Sequence, residues 1–317
     1  MSGAKELAQF KAETDDDGNF VRQQSAFRRW VSDEPGAEFP PEAGRYHLYV
    51  SYACPWASRT LVVRKLKGLE EAIGVTIVDP IRDERGWRFG DGSAATGEPD
   101  PLHGWTYLSE GYALTDPAFD GRVTVPVLWD TKTNTAVNNE SSEIIRMLNS
   151  AFDAVAKHPE VDLYPEPLRP EIDALNERIY ETVNNGVYRS GFASTQAAYE
   201  ENVTKLFDSL DWLEGILAEK RYLTGDQLTE ADWRLVMTLF RFDPVYVGHF
   251  KTNLRRIVDY PNLWAYTREL YQYPGIAETV NFDHIKRHYY VTHPSINPTG
   301  VVPLGPIIDW DEPHGRG

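Results

Sequence analysis

The chain has 317 residues, of which 41% are hydrophobic and 25% are charged, and its formal net charge is −16. This length favours two domains, and the apolar content is sufficient for buried cores. The strong negative charge argues against a nucleic-acid-binding or membrane-surface protein, because DNA, RNA and anionic lipids repel an acidic chain.

The amino-terminal residues and the number of cysteines indicate the cellular compartment of the protein. Residues 1–20 are polar and acidic and lack the apolar core of a signal peptide. No stretch approaches the 18 apolar residues that a membrane span requires. Cys54 is the single cysteine, which excludes an internal disulfide and fits a reducing compartment. We therefore expect a cytoplasmic protein.

The first segment, residues 1–44, is predicted to be an irregular arm. Pro35, Pro40 and Pro41 interrupt any regular element before residue 44.

Residues 45–157 are predicted to form a thioredoxin-like α/β domain. Strand-like apolar patterns alternate with helical spacing, and one helix begins at Cys54-Pro55. Residues 82–115 are rich in Gly, Asp and Ser, and we interpret them as a long loop. Pro126 cannot donate a backbone hydrogen bond, so it is expected at the start or edge of a strand. The predicted strands lie at 45–51, 73–80, 122–130 and 136–137.

The second half of the chain is predicted to be helical. Four prolines in residues 158–170 indicate a domain linker. Residues 171–281 have apolar side chains at helical spacing throughout, which predicts an all-α domain. Residues 282–317 contain several prolines, so we expect an extended C-terminal tail.

The segment around Cys54 carries the main chemical signal. A helix N-terminus stabilises a thiolate, which can attack a sulfur or an electrophilic carbon. The alternative is that Cys54 is a small buried hydrophobic residue. The motif C-P-W-A has Ala57 where a dithiol redox motif has its second cysteine. A mixed disulfide on Cys54 must then be resolved by an external thiol, and in a reducing cytoplasm this points to glutathione.

Glutathione carries two carboxylates and one ammonium group, and the sequence offers a partner for each part. The backbone at Val125-Pro126 can pair with the cysteinyl residue. The helix N-terminus at Ser141 suits the γ-glutamyl carboxylate, and the Glu140 carboxylate suits the ammonium group. The alternatives are a plain helix cap for Glu140 and Ser141 and an ordinary strand residue for Val125.

Six segments resemble the glutathionyl-hydroquinone reductases, the Xi class of glutathione transferases. The resemblance runs from about residue 18 to 310, and the C-terminal run is specific to this family. The matching segments are CPWASR (54–59), GRVTVPVLWD (121–130), NNESSEII (138–145), NNGVYRSGFA (184–193), YPNLWAY (260–266) and HIKRHYYVTHPSINPTGVVPLGP (284–306).

The resemblance implies an α/β thioredoxin-like N-terminal domain, an all-α glutathione-transferase-like C-terminal domain and a homodimer. It implies reduction of glutathionyl-hydroquinones with glutathione as co-substrate and no metal. Cys54 would be the nucleophile, assisted by Tyr188 and Tyr290 as catalytic residues. The implied glutathione-binding residues are Trp87, Arg122, Val125, Glu140 and Ser141, and the implied hydroquinone-binding residues are Tyr188, Tyr289 and Tyr290.

Simpler roles exist for some of these residues. Tyr289 and Tyr290 could pack the tail onto the core, Trp87 could cover the sheet, and Arg122 could be a strand-edge charge. Tyr side chains nevertheless suit a diphenol, because they combine an aromatic face with a hydroxyl.

Three other functions use the same fold. An Omega-like thiol transferase or dehydroascorbate reductase would use Cys54 without a hydroquinone pocket. A conjugating transferase gains nothing from an attacking protein thiol. A glutathione or quinone carrier would have no use for an activated thiol. The spacing of His249, His288 and His293 does not predict a metal site.

Overall fold

A computed structural model describes residues 13 and 15–316. The described residues form two compact units. The first comprises residues 23–162 and 279–292, and the second comprises the described residues of 13–22, 163–278 and 293–316. Residues 1–12 and 14 of the predicted arm, and residue 317 of the predicted tail, lie outside the described residues.

The first unit is built on a four-stranded sheet with strand order β2-β1-β3-β4. Strand β1 pairs in parallel with β2 and antiparallel with β3, and β3 pairs antiparallel with β4. Every residue of β1 is buried, as expected for a central strand of a layered α/β unit. The strands are β1 (Tyr46–Val50), β2 (Ile73–Ile77), β3 (Val127–Asp130) and β4 (Thr135–Asn138).

Four α-helices belong to the first unit. They are α1 (Pro55–Leu66), α2 (Leu108–Thr115), α3 (Ser141–Ser150) and α10 (Phe282–Thr292). Helices are numbered in chain order, and those between α3 and α10 belong to the second unit. A single 3₁₀ turn, Asp153–Val155, follows α3. The mixed sheet with its helices confirms the thioredoxin-like prediction for this half of the chain.

Two predictions for the first unit need correction. The predicted strand over 122–130 begins only at Val127, because Pro126 cannot donate to the ladder. The predicted loop over 82–115 ends in helix α2. The Glu110 side chain starts this helix by accepting hydrogen bonds from the backbone N–H groups of Thr106 and Tyr107, at 2.8 and 2.9 Å.

The predicted extended tail over 282–317 is wrong in its first third. Phe282–Thr292 is helix α10, which belongs to the first unit. Ile285 and Tyr289 stand one turn apart and are 0% and 1% exposed, so the helix has a buried apolar face. The helix ends at Thr292, shortly before Pro294, and residues 301–309 that follow later in the chain have no regular structure.

The second unit is helical, in agreement with the sequence. A capping box formed by Thr229 and Asp232 begins the helix Glu230–Arg241. Two π-helical turns, Tyr180–Asn184 and Phe242–Tyr246, interrupt the helices. Single 3₁₀ turns lie at Glu166–Leu168, Ile257–Asp259 and Ala277–Thr279, the last at the start of the 279–292 segment. The helices are α4 (Arg169–Ile179), α5 (Gly186–Gly191), α6 (Gln196–Glu219), α7 (Glu230–Arg241), α8 (Val247–His249) and α9 (Pro261–Tyr271).

None of the helices in the part of the chain that the structure describes has both the length and the apolar character needed to cross a membrane.

Candidate active site

Cys54 lies in the turn that joins strand β1 to helix α1. It is the N-cap residue of α1, and Pro55 takes the first helical position, where its fixed φ and missing N–H are tolerated. The side chain is half-buried, and its Sγ atom lies 3.4 Å from the carbonyl oxygen of Val125. The peptide bond between Val125 and Pro126 is cis. The sequence therefore placed Cys54 correctly at a helix start, and the fold brings it beside Val125.

This position gives the cysteine its chemical character. The N-cap position places Cys54 at the positive end of the α1 dipole. Partial exposure leaves the sulfur open to a reaction partner, whereas a structural cysteine is normally fully buried. The half-buried side chain does not fit the alternative of a small, fully buried hydrophobic residue.

The N-terminus of α3 forms the second part of the site. Glu140 is the N-cap, and its carboxylate accepts hydrogen bonds from the backbone N–H and the hydroxyl of Ser142, at 3.1 and 2.8 Å. The Ser25 hydroxyl donates to the same carboxylate at 2.9 Å. Burial opposes ionisation of Glu140, but these hydrogen bonds outweigh it and lower its pKa below the ordinary value. Glu140 is thus a fixed anion beside Ser141, the first residue of α3.

Arg59 is a functional candidate that the sequence reasoning missed. It lies on α1, is 2% exposed, and its Nη1 atom lies 3.4 Å from the Ser141 hydroxyl oxygen. It contributes to the low pKa of Glu140 through its charge. A buried guanidinium next to a helix N-terminus strengthens that end as an anion site. The sequence signal that could have identified Arg59 is a charged residue among the buried positions of α1.

Trp87 and Arg122 lie in the first unit with Cys54. Trp87 is 4% exposed and stacks on His288, with ring centroids 5.1 Å apart and an interplanar angle of 12°. The guanidinium of Arg82 lies 5.0 Å from the Trp87 ring centroid. Arg122 is half-buried, and its backbone N–H donates to the side-chain oxygen of Gln23 at 2.9 Å. Little of the Trp87 surface is therefore left to touch a ligand.

The three predicted substrate tyrosines fall in different units. Tyr289 and Tyr290 are consecutive residues of α10 in the first unit, where Tyr289 is 1% exposed and Tyr290 is half-buried. Tyr188 lies on α5 in the second unit and is 9% exposed.

Tyr188 sits in an aromatic cluster of the second unit. Its ring centroid is 5.4 Å from that of Phe250 and 6.0 Å from that of Tyr246. The Arg22 guanidinium lies 4.8 Å from the Tyr188 ring centroid, within cation–π range, and its Nε donates to Asn185 at 2.8 Å. This cluster fixes the ring of Tyr188, and its burial is compatible with either a packing role or a substrate role.

Among residues 13 and 15–316, no group of three or more His, Cys, Asp or Glu side chains is arranged to hold a metal ion.

The fold and the cysteine site define a glutathione transferase. The family model for the glutathione S-transferase N-terminal domain matches residues 53–151, and the model for the C-terminal domain matches residues 196–269. These two matches cover both halves of the chain and confirm the predicted fold class.

Closer relatives identify the branch of this superfamily. The chain is 57% identical to glutathionyl-hydroquinone reductase YqjG of Escherichia coli, over 94% of this chain and 92% of that protein. It is 55% identical to glutathionyl-hydroquinone reductase PcpF of Sphingobium chlorophenolicum, over 91% and 90%. The glutathione transferase Xi structure from Phanerochaete chrysosporium superimposes with a TM-score of 0.90 at 56% identity, covering 94% of this chain and 96% of that one. The chain belongs to the glutathionyl-hydroquinone reductases, the Xi class of glutathione transferases.

Proposed function

We propose that this protein reduces glutathionyl-hydroquinones to hydroquinones, using glutathione as the reductant and Cys54 as the nucleophile. The observation that carries the proposal is the position of the lone cysteine, at the N-terminus of α1 and 3.4 Å from the Val125 carbonyl oxygen. Relatives named for this activity, at 57% and 55% identity over nearly the whole chain, support the same reaction.

Glutathione is held by groups of the first unit. The Val125 backbone pairs with the cysteinyl residue, which places the glutathione sulfur beside Cys54. The N-terminus of α3 at Ser141, reinforced by the buried Arg59, receives the γ-glutamyl carboxylate. The Glu140 carboxylate, kept ionised by its low pKa, receives the ammonium group. A glutathione-bound structure of the Escherichia coli relative, 56% identical with a TM-score of 0.88, supports glutathione as the ligand class.

Two further residues complete the proposed glutathione site. Trp87 contributes the exposed part of its indole, and Arg122 contributes a positive charge toward a carboxylate of the tripeptide. Both assignments come from the family pattern, and the half-buried state of Arg122 is compatible with a ligand contact.

In the first step the Cys54 thiolate attacks the glutathionyl sulfur of the substrate. A sulfur–sulfur bond forms while the bond between sulfur and the ring carbon breaks, and the ring carbon takes the electron pair and a proton. The reaction proceeds through the keto tautomer, whose carbonyl group stabilises the charge that develops on the leaving carbon. The two sulfurs are oxidised to a mixed disulfide, and the aromatic ring is released as the hydroquinone.

In the second step a glutathione thiolate attacks the glutathione sulfur of the mixed disulfide. Oxidised glutathione leaves and the Cys54 thiolate is regenerated. Ala57 stands where a resolving cysteine would be, so the mixed disulfide persists until external glutathione arrives. The two half-reactions predict ping-pong kinetics.

Tyrosine hydroxyls assist the first step. Tyr188 and Tyr290 donate hydrogen bonds to the substrate oxygens as charge develops on them, and Tyr289 provides an aromatic wall. The hydroxyl of Tyr290 is the better placed for a ligand within the first unit, because its side chain is half-buried whereas that of Tyr289 is 1% exposed.

Steady-state turnover with a panel of glutathionyl-hydroquinones of different ring substitution tests the proposal. The wild type should turn over with parallel-line ping-pong kinetics, and Cys54→Ser should lose turnover by at least about 1000-fold. Turnover of small mixed disulfides alone would instead identify an Omega-like thiol transferase. Absence of turnover with glutathione binding retained would identify a carrier.

We also propose a cytoplasmic homodimer. The single cysteine supports a reducing compartment, because it excludes an internal disulfide. The resemblance to the Xi class supports the oligomeric state. Sedimentation velocity at micromolar concentration should give the mass of two chains, and a species of one chain at that concentration would contradict the dimer.

A further inference from the structure

We propose that His288 is a positioning residue, which fixes the indole of Trp87 and thereby sets the affinity of the site for the glutathionyl group. The inference rests on the proposed function, in which Trp87 contacts glutathione. His288 belongs to no metal-binding pattern in the sequence, and the proposed reaction gives it no role.

The geometry between the two rings is specific. The imidazole of His288 and the indole of Trp87 are nearly parallel, at 12°, with centroids 5.1 Å apart. Both residues are buried, at 6% and 4% exposed. The Nδ1 atom of His288 lies 2.6 Å from the backbone carbonyl oxygen of Pro80. A carbonyl oxygen can only accept, so Nδ1 carries the proton and the orientation of the imidazole is fixed.

His288 is part of a larger attachment between α10 and the segment that carries Trp87. The Nε2 atom of His284 lies 2.8 Å from the Ala94 carbonyl oxygen, and Nη1 of Arg287 lies 2.6 Å from the Ala95 carbonyl oxygen. Residues 284, 287 and 288 have the spacing of one helix face. The helix therefore holds residues 80–95 at both ends, with Trp87 between the two attachment points.

The same helix connects the proposed glutathione residue Trp87 with proposed hydroquinone residues. His288 immediately precedes Tyr289 and Tyr290 in α10. The Trp87 segment is further fixed from the sheet side, where Nε of Arg88 donates to the Asp79 carboxylate at 3.0 Å. Trp87 is thus held by the same helix that carries Tyr289 and Tyr290, two of the three proposed hydroquinone residues.

His288 both stacks on Trp87 and donates a hydrogen bond to Pro80, and substitutions can separate these two interactions. Phenylalanine would keep the stacking and lose the hydrogen bond to Pro80. Asparagine would keep an N–H donor near the Nδ1 position and lose the stacking. Alanine would lose both, so the three variants report the two contributions individually.

The experiment measures KM for a glutathionyl-hydroquinone and kcat in wild type, His288→Ala, His288→Phe, His288→Asn and Trp87→Phe. We expect His288→Ala to raise KM about tenfold while kcat changes by less than about threefold, with smaller increases for Phe and Asn. The change in indole fluorescence on binding S-methylglutathione should shrink in parallel. His158→Ala is the matched control, because His158 is an exposed histidine of the first unit and should leave both quantities unchanged.

Two results overturn the inference. One is an unchanged KM in all three His288 variants while Trp87→Phe raises KM. The other is an unchanged KM in Trp87→Phe itself, which removes the role of Trp87. Turnover of glutathionyl-hydroquinones by the wild type distinguishes either result from a failure of the proposed function. If His288→Ala fails to fold, the Phe and Asn variants carry the test.

Discussion

The sulfur of Cys54 lies 3.4 Å from the carbonyl oxygen of Val125. A thiol can donate a hydrogen bond to that oxygen, whereas a thiolate cannot. In the proposed reaction, ionisation of Cys54 would release this carbonyl for the backbone N–H of the glutathione cysteinyl residue. One backbone group would then serve the resting thiol first and the bound tripeptide afterwards.

Alkylation of Cys54 reports its ionisation directly, because the chain has no other cysteine. The proposed role of Cys54 as the nucleophile requires a reactive thiolate, so this role predicts rapid reaction with iodoacetamide at pH 6. Labelling is followed by intact mass, and Cys54→Ser is the unlabelled control. A rate that rises only above pH 8 would show an unactivated thiol.

Tyrosine variants separate hydroquinone reduction from simple thiol transfer. Tyr188→Phe and Tyr290→Phe remove one hydroxyl each, so turnover of glutathionyl-hydroquinones should fall about 10- to 100-fold. Reduction of a small mixed disulfide, which lacks the phenolic oxygens, should change by less than about threefold. Tyr199→Phe is the matched control, since the Tyr199 hydroxyl donates to the Lys251 carbonyl in the second unit. Equal losses for both substrates would contradict the assigned roles.

Glu140 should retain its charge in acid. Burial opposes its ionisation, but the hydrogen bonds from Ser142 and Ser25 lower its pKa below the ordinary 4.5. A depressed pKa keeps the carboxylate ionised at and above pH 4.5, and its attraction for the ammonium group is lost only as the pH falls through the lower value. The Kd for S-methylglutathione, a probe without a free thiol, should therefore stay constant from pH 7 to pH 5.

A variant without the Glu140 charge tests whether this carboxylate binds the ammonium group of glutathione. Glu140→Gln should weaken binding of S-methylglutathione at pH 7 by about 10-fold or more, the value of a charged hydrogen bond. Glu143→Gln is the control, because Glu143 pairs with Arg28 and Asn138. If Glu140→Gln binds as tightly as the wild type, Glu140 is only a helix cap.

His47 should make the first unit sensitive to acid. Burial lowers the pKa of His47 to about 4 from 6.5, partly opposed by the charge of Asp100. The unfolded chain binds this proton near pH 6.5 and the folded chain only near pH 4, so stability is complete above pH 6.5 and declines below it. At pH 4.5 the loss from this group is about 2 to 3 kcal/mol.

The control for this pH effect is His47→Gln. A glutamine can keep the hydrogen bond that Nε2 of His47 makes with the Thr76 hydroxyl at 2.8 Å, and it does not titrate. Urea unfolding at pH 7 and pH 4.5 should show a smaller acid loss for His47→Gln than for the wild type. Identical losses would mean that other groups account for the acid sensitivity.

Local sequence signals predicted one part of the site. The strand, Cys54-Pro55 and the following helix are adjacent in the chain, and the Glu140 cap precedes an amphipathic helix. Such features depend on backbone preferences that act within a few residues. Pro126 in the sequence marks Val125 as the backbone position that can pair with the cysteinyl residue of glutathione.

Contacts between distant segments could not be predicted in this way. Arg59 and Ser141 are separated by 82 positions, and Trp87 meets His288 from the other end of the chain. Only the folded chain brings such pairs together, because their contact depends on packing and not on local pattern. Helix α10 is hard to predict for a related reason. Its apolar spacing covers barely three turns, and the prolines after Thr292 favour an extended chain.

In the proposed cycle Cys54 carries the glutathionyl group between the two half-reactions. Intact-mass spectrometry of the wild type, mixed with one equivalent of glutathionyl-hydroquinone without free glutathione, detects this adduct. We expect one added glutathione moiety on Cys54, one equivalent of released hydroquinone, and loss of the adduct when glutathione is added. Release of hydroquinone from a protein whose mass stays unchanged would rule out the Cys54 adduct.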